Sequence, residues 1–85
     1  MLKQLTVRRK RTALERIYRV RLENLRKLIA MHDDNKARLA RALDYSPAFI
    51  THLAGEQPLR TIGEKLARDI EVKLGLVSGW LDALH

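Results

Sequence analysis

The chain of 85 residues has no cysteine, two prolines, four glycines and only 5% aromatic residues. Without cysteine there are no disulfides, no thiolate zinc ligands and no cysteine nucleophile. With so little proline and glycine, few points interrupt a helix. No apolar run approaches the ~18 residues of a membrane-spanning helix. The basic N-terminus is not followed by the apolar core of a signal peptide. No four-residue window joins β-branched residues to an alternating pattern, so strands are not expected. Length adds a bound: such a chain buries roughly 60–65% of its unfolded surface, enough for one small core. The remaining composition, 46% hydrophobic and 32% charged, is that of a globular domain. A soluble, cytoplasmic, single-domain protein is expected.

Acids are scarce in one place. Residues 1–30 carry ten bases against Glu15 and Glu23, a net of +8, while residues 31–85 carry seven bases and eight acids, a net of −1. The basicity centres on Arg8-Arg9-Lys10-Arg11, read as an N-terminal arm over residues 1–11, ahead of a domain over residues 12–85. A polyanion is the natural partner for such an arm, although a solvated terminus has the same composition.

Catalytic signals are also missing. His32, His52 and His85 lie 20 and 33 residues apart, without metal-ligand spacing. Asp33 and Asp34 have no further oxygen ligands spaced around them. Ser46 and Ser78 read as helix caps, and there is no glycine-rich phosphate loop. No enzymatic activity, cofactor or metal is expected.

What is present is helical periodicity. A first, long helix is expected over residues 12–31. Leu14, Tyr18, Leu22, Leu25 and Ile29 form its apolar stripe, Ile17 and Leu28 widen it, and Arg16, Arg19, Glu23 and Arg26 face the other way. Its first half is free to project from the core or to pair with a second chain. After His32-Asp33-Asp34-Asn35, a second helix runs over residues 36–43, capped by Asp34 or Asn35. Ser46 and Pro47 open a third, which ends at Gly55 as a left-handed cap. Thr61-Ile62-Gly63-Glu64 fits a capping box for a fourth, with Ile62, Leu66, Ile70 and Leu74 inward and Gly75 at its end. Ser78 caps a short fifth helix over residues 79–84, which brings Trp80 and Leu81 to the core. The expected fold is all-α, about five helices behind a basic arm.

The second and third helices are separated only by Asp44-Tyr45-Ser46, the connection of a helix-turn-helix. Ala40 supplies the small side chain that close helix crossing requires. Leu39, Leu43, Tyr45, Ile50 and Leu53 are apolar where they would face inward. Asp44 occupies a turn position that is often glycine, and aspartate tolerates the left-handed conformation.

The stretch Leu39-Ala40-Arg41-Ala42-Leu43-Asp44-Tyr45-Ser46, with Phe49-Ile50 and Leu53, resembles the lambda-repressor-like, Cro/C1-type DNA-binding domains of phage and prophage repressors. Arg60-Thr61-Ile62-Gly63, Lys65-Leu66-Ala67-Arg68, Ile70-Glu71 and Gly79-Trp80-Leu81-Asp82 are similar to a segment common in prophage members. The resemblance covers about residues 20–83. It implies a bundle of about five helices whose third helix enters the major groove. It also implies a homodimer on a near-palindromic operator in double-stranded DNA, with half-sites about one helical turn apart.

On that resemblance Ser46, Pro47, Ala48, Thr51 and His52 match the family's base-contacting positions. Their chemistry is sparse: no Arg, Asn or Gln is available for bidentate readout. Thymine methyls suit Pro47, Ala48 and Thr51, and base edges suit Thr51 and His52. Phosphate contacts are assigned to Lys36, Arg41, Arg60 and Thr61, with Arg38 a weaker candidate. Arg8, Arg9, Lys10 and Arg11 reach around the duplex or into a minor groove. Affinity then rests mostly on phosphates, the arm and DNA shape. Two other readings stay open: an antitoxin of similar fold whose partner is a toxin protein, and a protein-interaction module with nonspecific nucleic-acid affinity.

Overall fold

A computed structural model describes the backbone of residues 2–85 and the side chains of residues 13–85. Four α-helices follow in order: α1 (Leu2–Met31), α2 (Lys36–Leu43), α3 (Pro47–Ala54) and α4 (Glu64–Leu74). A single 3-10 turn, Trp80–Asp82, comes last. There is no strand among the described residues, as the sequence leads one to expect.

The helix ends mostly follow local chemistry. Asn35 caps α2, its side-chain oxygen accepting from the amides of Ala37 and Arg38. Asp44 closes α2 in the left-handed region at φ 59°, and the amides of Asp44 and Tyr45 return to Arg41 and Ala40. That is the paired bonding of a Schellman motif. Gly75 ends α4 in the same way at φ 69°. Ser46 caps α3 through Phe49 N–H at 3.1 Å, with Pro47 next.

Four expected ends differ. Helix α1 begins at Leu2 rather than near Thr12, and no proline or glycine among residues 2–11 opposes it. Gly55 is extended (φ −69°, ψ 179°), not left-handed. Gly63, not Thr61, precedes α4, and no side chain caps it. The capping box fails because the Glu64 carboxylate is drawn to Arg21 and Arg68 instead. The fifth helix is only the 3-10 turn, preceded by Gly79 at φ 94° rather than capped by Ser78.

The core draws on every helix: Leu25, Leu28 and Ile29 from α1; Leu39, Ala40 and Leu43 from α2; Ile50, Leu53 and Ala54 from α3; Ala67 and Ile70 from α4; with Ile62 from the α3–α4 loop and Leu81 from the 3-10 turn. Each fully buried Leu or Ile contributes about 1.5–3 kcal/mol relative to exposure. Leu22, Tyr45, Phe49, Leu66, Leu74 and Trp80 pack partly against this cluster. Leu14 and Ile17 do not join it and stand exposed. The α1 stripe therefore meets the core only in its second half.

Three polar side chains are buried with the core: Arg21, Asn24 and Glu71. Arg21 Nε donates to Asp82 Oδ1 at 2.6 Å, Nη1 to the Ile62 carbonyl at 2.9 Å, and Nη2 to Glu64 Oε2 at 2.8 Å. Asn24 Nδ2 donates to the carbonyls of Leu81 (2.8 Å) and Ala83 (2.7 Å). Glu71 accepts from Gly79 N–H (3.0 Å) and Leu81 N–H (2.8 Å), and Arg68 pairs with both Glu71 and Asp82. Backbone groups of residues 79–83 are thus satisfied by side chains of α1 and α4. These bonds supplement the 3-10 turn's own, from Asp82 N–H to the Gly79 carbonyl and from Ala83 N–H to the Trp80 carbonyl.

The Arg21 hydrogen bond holds the Asp82 carboxyl below its ordinary range, against a smaller opposing effect of burial; Asp82 reciprocally raises Arg21. A carboxylate depressed in the folded state stabilises above its unfolded pKa, and that stability is lost as pH falls through the folded value. Urea midpoints measured from about pH 7 to about pH 2 should therefore fall on acidification, and Asp82→Asn should flatten the acid limb. Arg21→Ala should cost about 2–4 kcal/mol at neutral pH, because it strands the buried Ile62 carbonyl while Glu64 and Asp82 keep solvent access.

Candidate nucleic-acid interface

Helices α2 and α3 are joined by three residues, Asp44 to Ser46. Leu39, Ala40 and Leu43 on one side and Ile50, Leu53 and Ala54 on the other are buried, so the inward faces are those the sequence indicates. Ala40 is buried between helices, as its size suggests. Close packing fixes how α3 presents its other face.

That face is open. Pro47, Ala48, Thr51 and His52 are all exposed, and their spacing along one helix puts them side by side. Ser46, also exposed, is engaged as the helix cap. The Thr51 hydroxyl donates to the Pro47 carbonyl at 3.2 Å. The chemistry on offer is a methyl-rich surface with one imidazole and one hydroxyl.

Arg60 is brought to the same helix. The amides of Leu59 and Arg60 donate to the His52 carbonyl at 2.8 and 3.3 Å, which ties the following loop to the end of α3. The Arg60 guanidinium lies over the Phe49 ring, 5.1 Å from its centre. Phe49 meets Tyr45 edge-on at 5.2 Å, and Lys73 Nζ sits 4.4 Å from the Tyr45 ring. The Tyr45 hydroxyl donates to the Asp69 carboxylate, which also pairs with Lys73 at 3.2 Å. Burial, then the Asp69 bond, pushes the Tyr45 phenol up; the Tyr45 and Lys73 bonds hold Asp69 down. A continuous series of stacked and bonded side chains therefore runs from α4 to Arg60. It fixes an exposed cation beside α3.

The other expected phosphate contacts are less gathered. Lys36, Arg41 and Thr61 are exposed. Lys36 and Arg41, five residues apart on α2, point about 140° apart around the helix axis and do not share a face. Two amides at the start of α2 are engaged, since Asn35 takes those of Ala37 and Arg38. Arg38 pairs with Asp33. The side chains of Arg8, Arg9, Lys10 and Arg11 lie outside the described residues. Among the described residues, no cluster of three or more His, Asp or Glu gathers as metal ligands would, and no helix is long and apolar enough to cross a membrane.

Three contributions to the site lie outside what the local sequence pattern shows. Phe49 packs partly against the core, yet its ring also carries Arg60. Arg26 was placed on the outer stripe of α1, yet its Nη2 donates to the Gly55 carbonyl at 2.8 Å and steadies the end of α3. Gly55 itself is required by proximity rather than by a left-handed turn: a Cβ there would stand 2.6 Å from the Thr51 carbonyl oxygen. No local pattern reveals pairs 11 and 29 residues apart in the chain, such as Phe49–Arg60 and Arg26–Gly55.

Gly55→Ala should therefore shift the end of α3 and destabilise the fold by about 1–3 kcal/mol in urea denaturation. Gly63, where a Cβ would meet nothing within 4 Å, is the matched control, and Gly63→Ala should be nearly silent.

No family model matches the chain, and no curated protein matches it. Among solved structures it is similar to a chain in the crystal structure of a Rep-Ant complex from a Salmonella temperate phage, with 29% identity and a TM-score of 0.71 over 79% of this chain. The match spans 39% of that chain's length. The helical arrangement is thus shared with part of a phage protein that was crystallised as a complex.

Proposed function

We propose that the chain is a sequence-specific DNA-binding transcriptional regulator of the phage Cro/C1 repressor kind, acting as a homodimer on a near-palindromic operator. The observation that carries this reading is the exposed Pro47, Ala48, Thr51 and His52 face of α3 with Arg60 fixed beside it. An exposed helix of small and polar residues flanked by a held cation suits a major groove bordered by phosphates. The chemistry of the face favours thymine methyls and a few base-edge bonds over bidentate readout. Phosphates and DNA shape then carry much of the affinity. Lys36, Arg41, Thr61 and the arm, Arg8 to Arg11, join Arg60 in that role. The phage origin of the similar structure agrees with this reading. The reading assigns no catalytic step, cofactor or metal.

A second reading, in which a protein is the physiological partner as for an antitoxin, is favoured by two observations. Leu14 and Ile17 stand exposed on α1, and the similar structure is itself a complex of two proteins.

Selection of bound sequences from a random duplex library at near-physiological salt tests the first reading. The expected outcome is an enriched palindrome with half-sites about one helical turn apart. His52→Ala should then cost about 1–3 kcal/mol on the selected site and relax its preference at one position. Arg60→Ala should weaken all duplexes alike and reduce the salt slope by about 1. No enrichment, with binding that vanishes steeply as salt rises, would remove the sequence-specific reading.

A further inference from the structure

Between α1 and the loop that follows α3 runs an open groove of about 330 Å³. Its floor is apolar, with Tyr18, Leu22, Leu59 and Ile62; Arg19 and Arg60 stand at its edge, and no acid lines it. Leu59 is 73% exposed. The apolar floor continues along α1, where Leu14 (52% exposed) precedes Tyr18 by one turn and Ile17 (40%) is its immediate neighbour. Apolar residues at positions 14, 18 and 22 are about 6 Å apart along the axis, the spacing into which the side chains of a second helix interleave.

We propose that this groove is a docking site for an acidic amphipathic helix of a partner protein, and that the docked helix competes with DNA for Arg60. The apolar floor would bury the partner's apolar stripe, as helix-in-groove recognition requires. Arg19 and Arg60 would meet its acidic flanks. A second copy of the chain does not fit this role. Helices α2 and α3 contain no acid, and in α4 Glu64, Asp69 and Glu71 are all already paired with Arg or Lys. Helix α1 would set bases against bases. A nucleic acid fits the arginines but not the apolar floor. The competition follows from Arg60 belonging both to the groove and to the edge of α3. Competition rests on the DNA-binding reading; docking does not.

The test uses the full chain, isotopically labelled, and a designed peptide helix about five turns long with leucines on one face and glutamates elsewhere. Of two control peptides, one keeps the composition with the leucines scrambled around the helix, and the other has lysine in place of glutamate. The expected result is amide shift changes confined to residues near Tyr18, Leu22 and the loop from Leu59 to Ile62. Neither control should bind comparably, and Leu59→Glu should weaken affinity about tenfold or more. Leu59 is exposed, so that variant keeps the fold. Equal binding by the scrambled peptide, shifts elsewhere, no binding, or an unaffected Leu59→Glu variant would overturn the docking site. Sedimentation showing a self-associated chain that Leu59→Glu dissociates would overturn it in favour of a second copy. Displacement of a labelled duplex by the peptide supports competition, and simultaneous binding overturns it. If the chain binds no duplex at all, the DNA-binding reading fails while the peptide result still decides the docking site.

Discussion

The guanidinium of Arg21 sits at the junction of α1, the start of α4 and the C-terminal turn, and the rest of the domain depends on that junction. One side chain bonds the Ile62 carbonyl, the Glu64 carboxylate and the Asp82 carboxylate. A desolvated guanidinium is costly unless its donors are met, and here they are met by two separate segments, residues 62–64 and the C-terminal turn. The requirement therefore works as a geometric constraint: the segments must converge for the charge to be buried at all. Asn24 and Glu71 extend it by satisfying the backbone of residues 79–83 from either side.

That junction has consequences for the exposed surface. Ile62 is anchored both by burial of its side chain and by Arg21 on its carbonyl, so the loop from α3 to α4 is held at its far end. Its near end is held by the bonds of Leu59 and Arg60 to His52. Arg60, between the two anchors and over Phe49, is left little freedom although it is exposed. A cation fixed in this way loses less side-chain entropy when it meets a phosphate or a carboxylate than a free arginine does. The same economy serves the face of α3, whose inward residues are locked in the core.

Much of this was legible in the residue order, and the reasons are local. Asn35, Ser46-Pro47 and Gly75 are caps whose action lies within a few residues of the chain, so α2, α3 and the end of α4 stand where their sequence places them. Asp44 takes the left-handed turn because its side chain tolerates it. The outward positions of α3 follow from the inward ones by helical periodicity alone. Where expectation and structure part, a long-range partner is the cause. Thr61 does not cap α4, because Glu64 answers Arg21 across 43 residues. Residues 79–84 form only a 3-10 turn, held by Glu71 and Asn24 on amides and carbonyls that the turn leaves unpaired.

By itself, then, the sequence determined an all-helical domain, its helix-turn-helix connection, the exposed residues of α3 and the concentration of positive charge at one end. These depend on periodicity, capping and composition, which act over one or two turns. The tertiary structure alone decided that Arg21, Asn24 and Glu71 are buried rather than solvated, that Phe49 carries Arg60, and that an apolar groove lies between α1 and the α3–α4 loop. A charged residue on a helix has the same local pattern whether it faces water or a buried carboxylate. Only the arrival of its partner from elsewhere in the chain distinguishes the two.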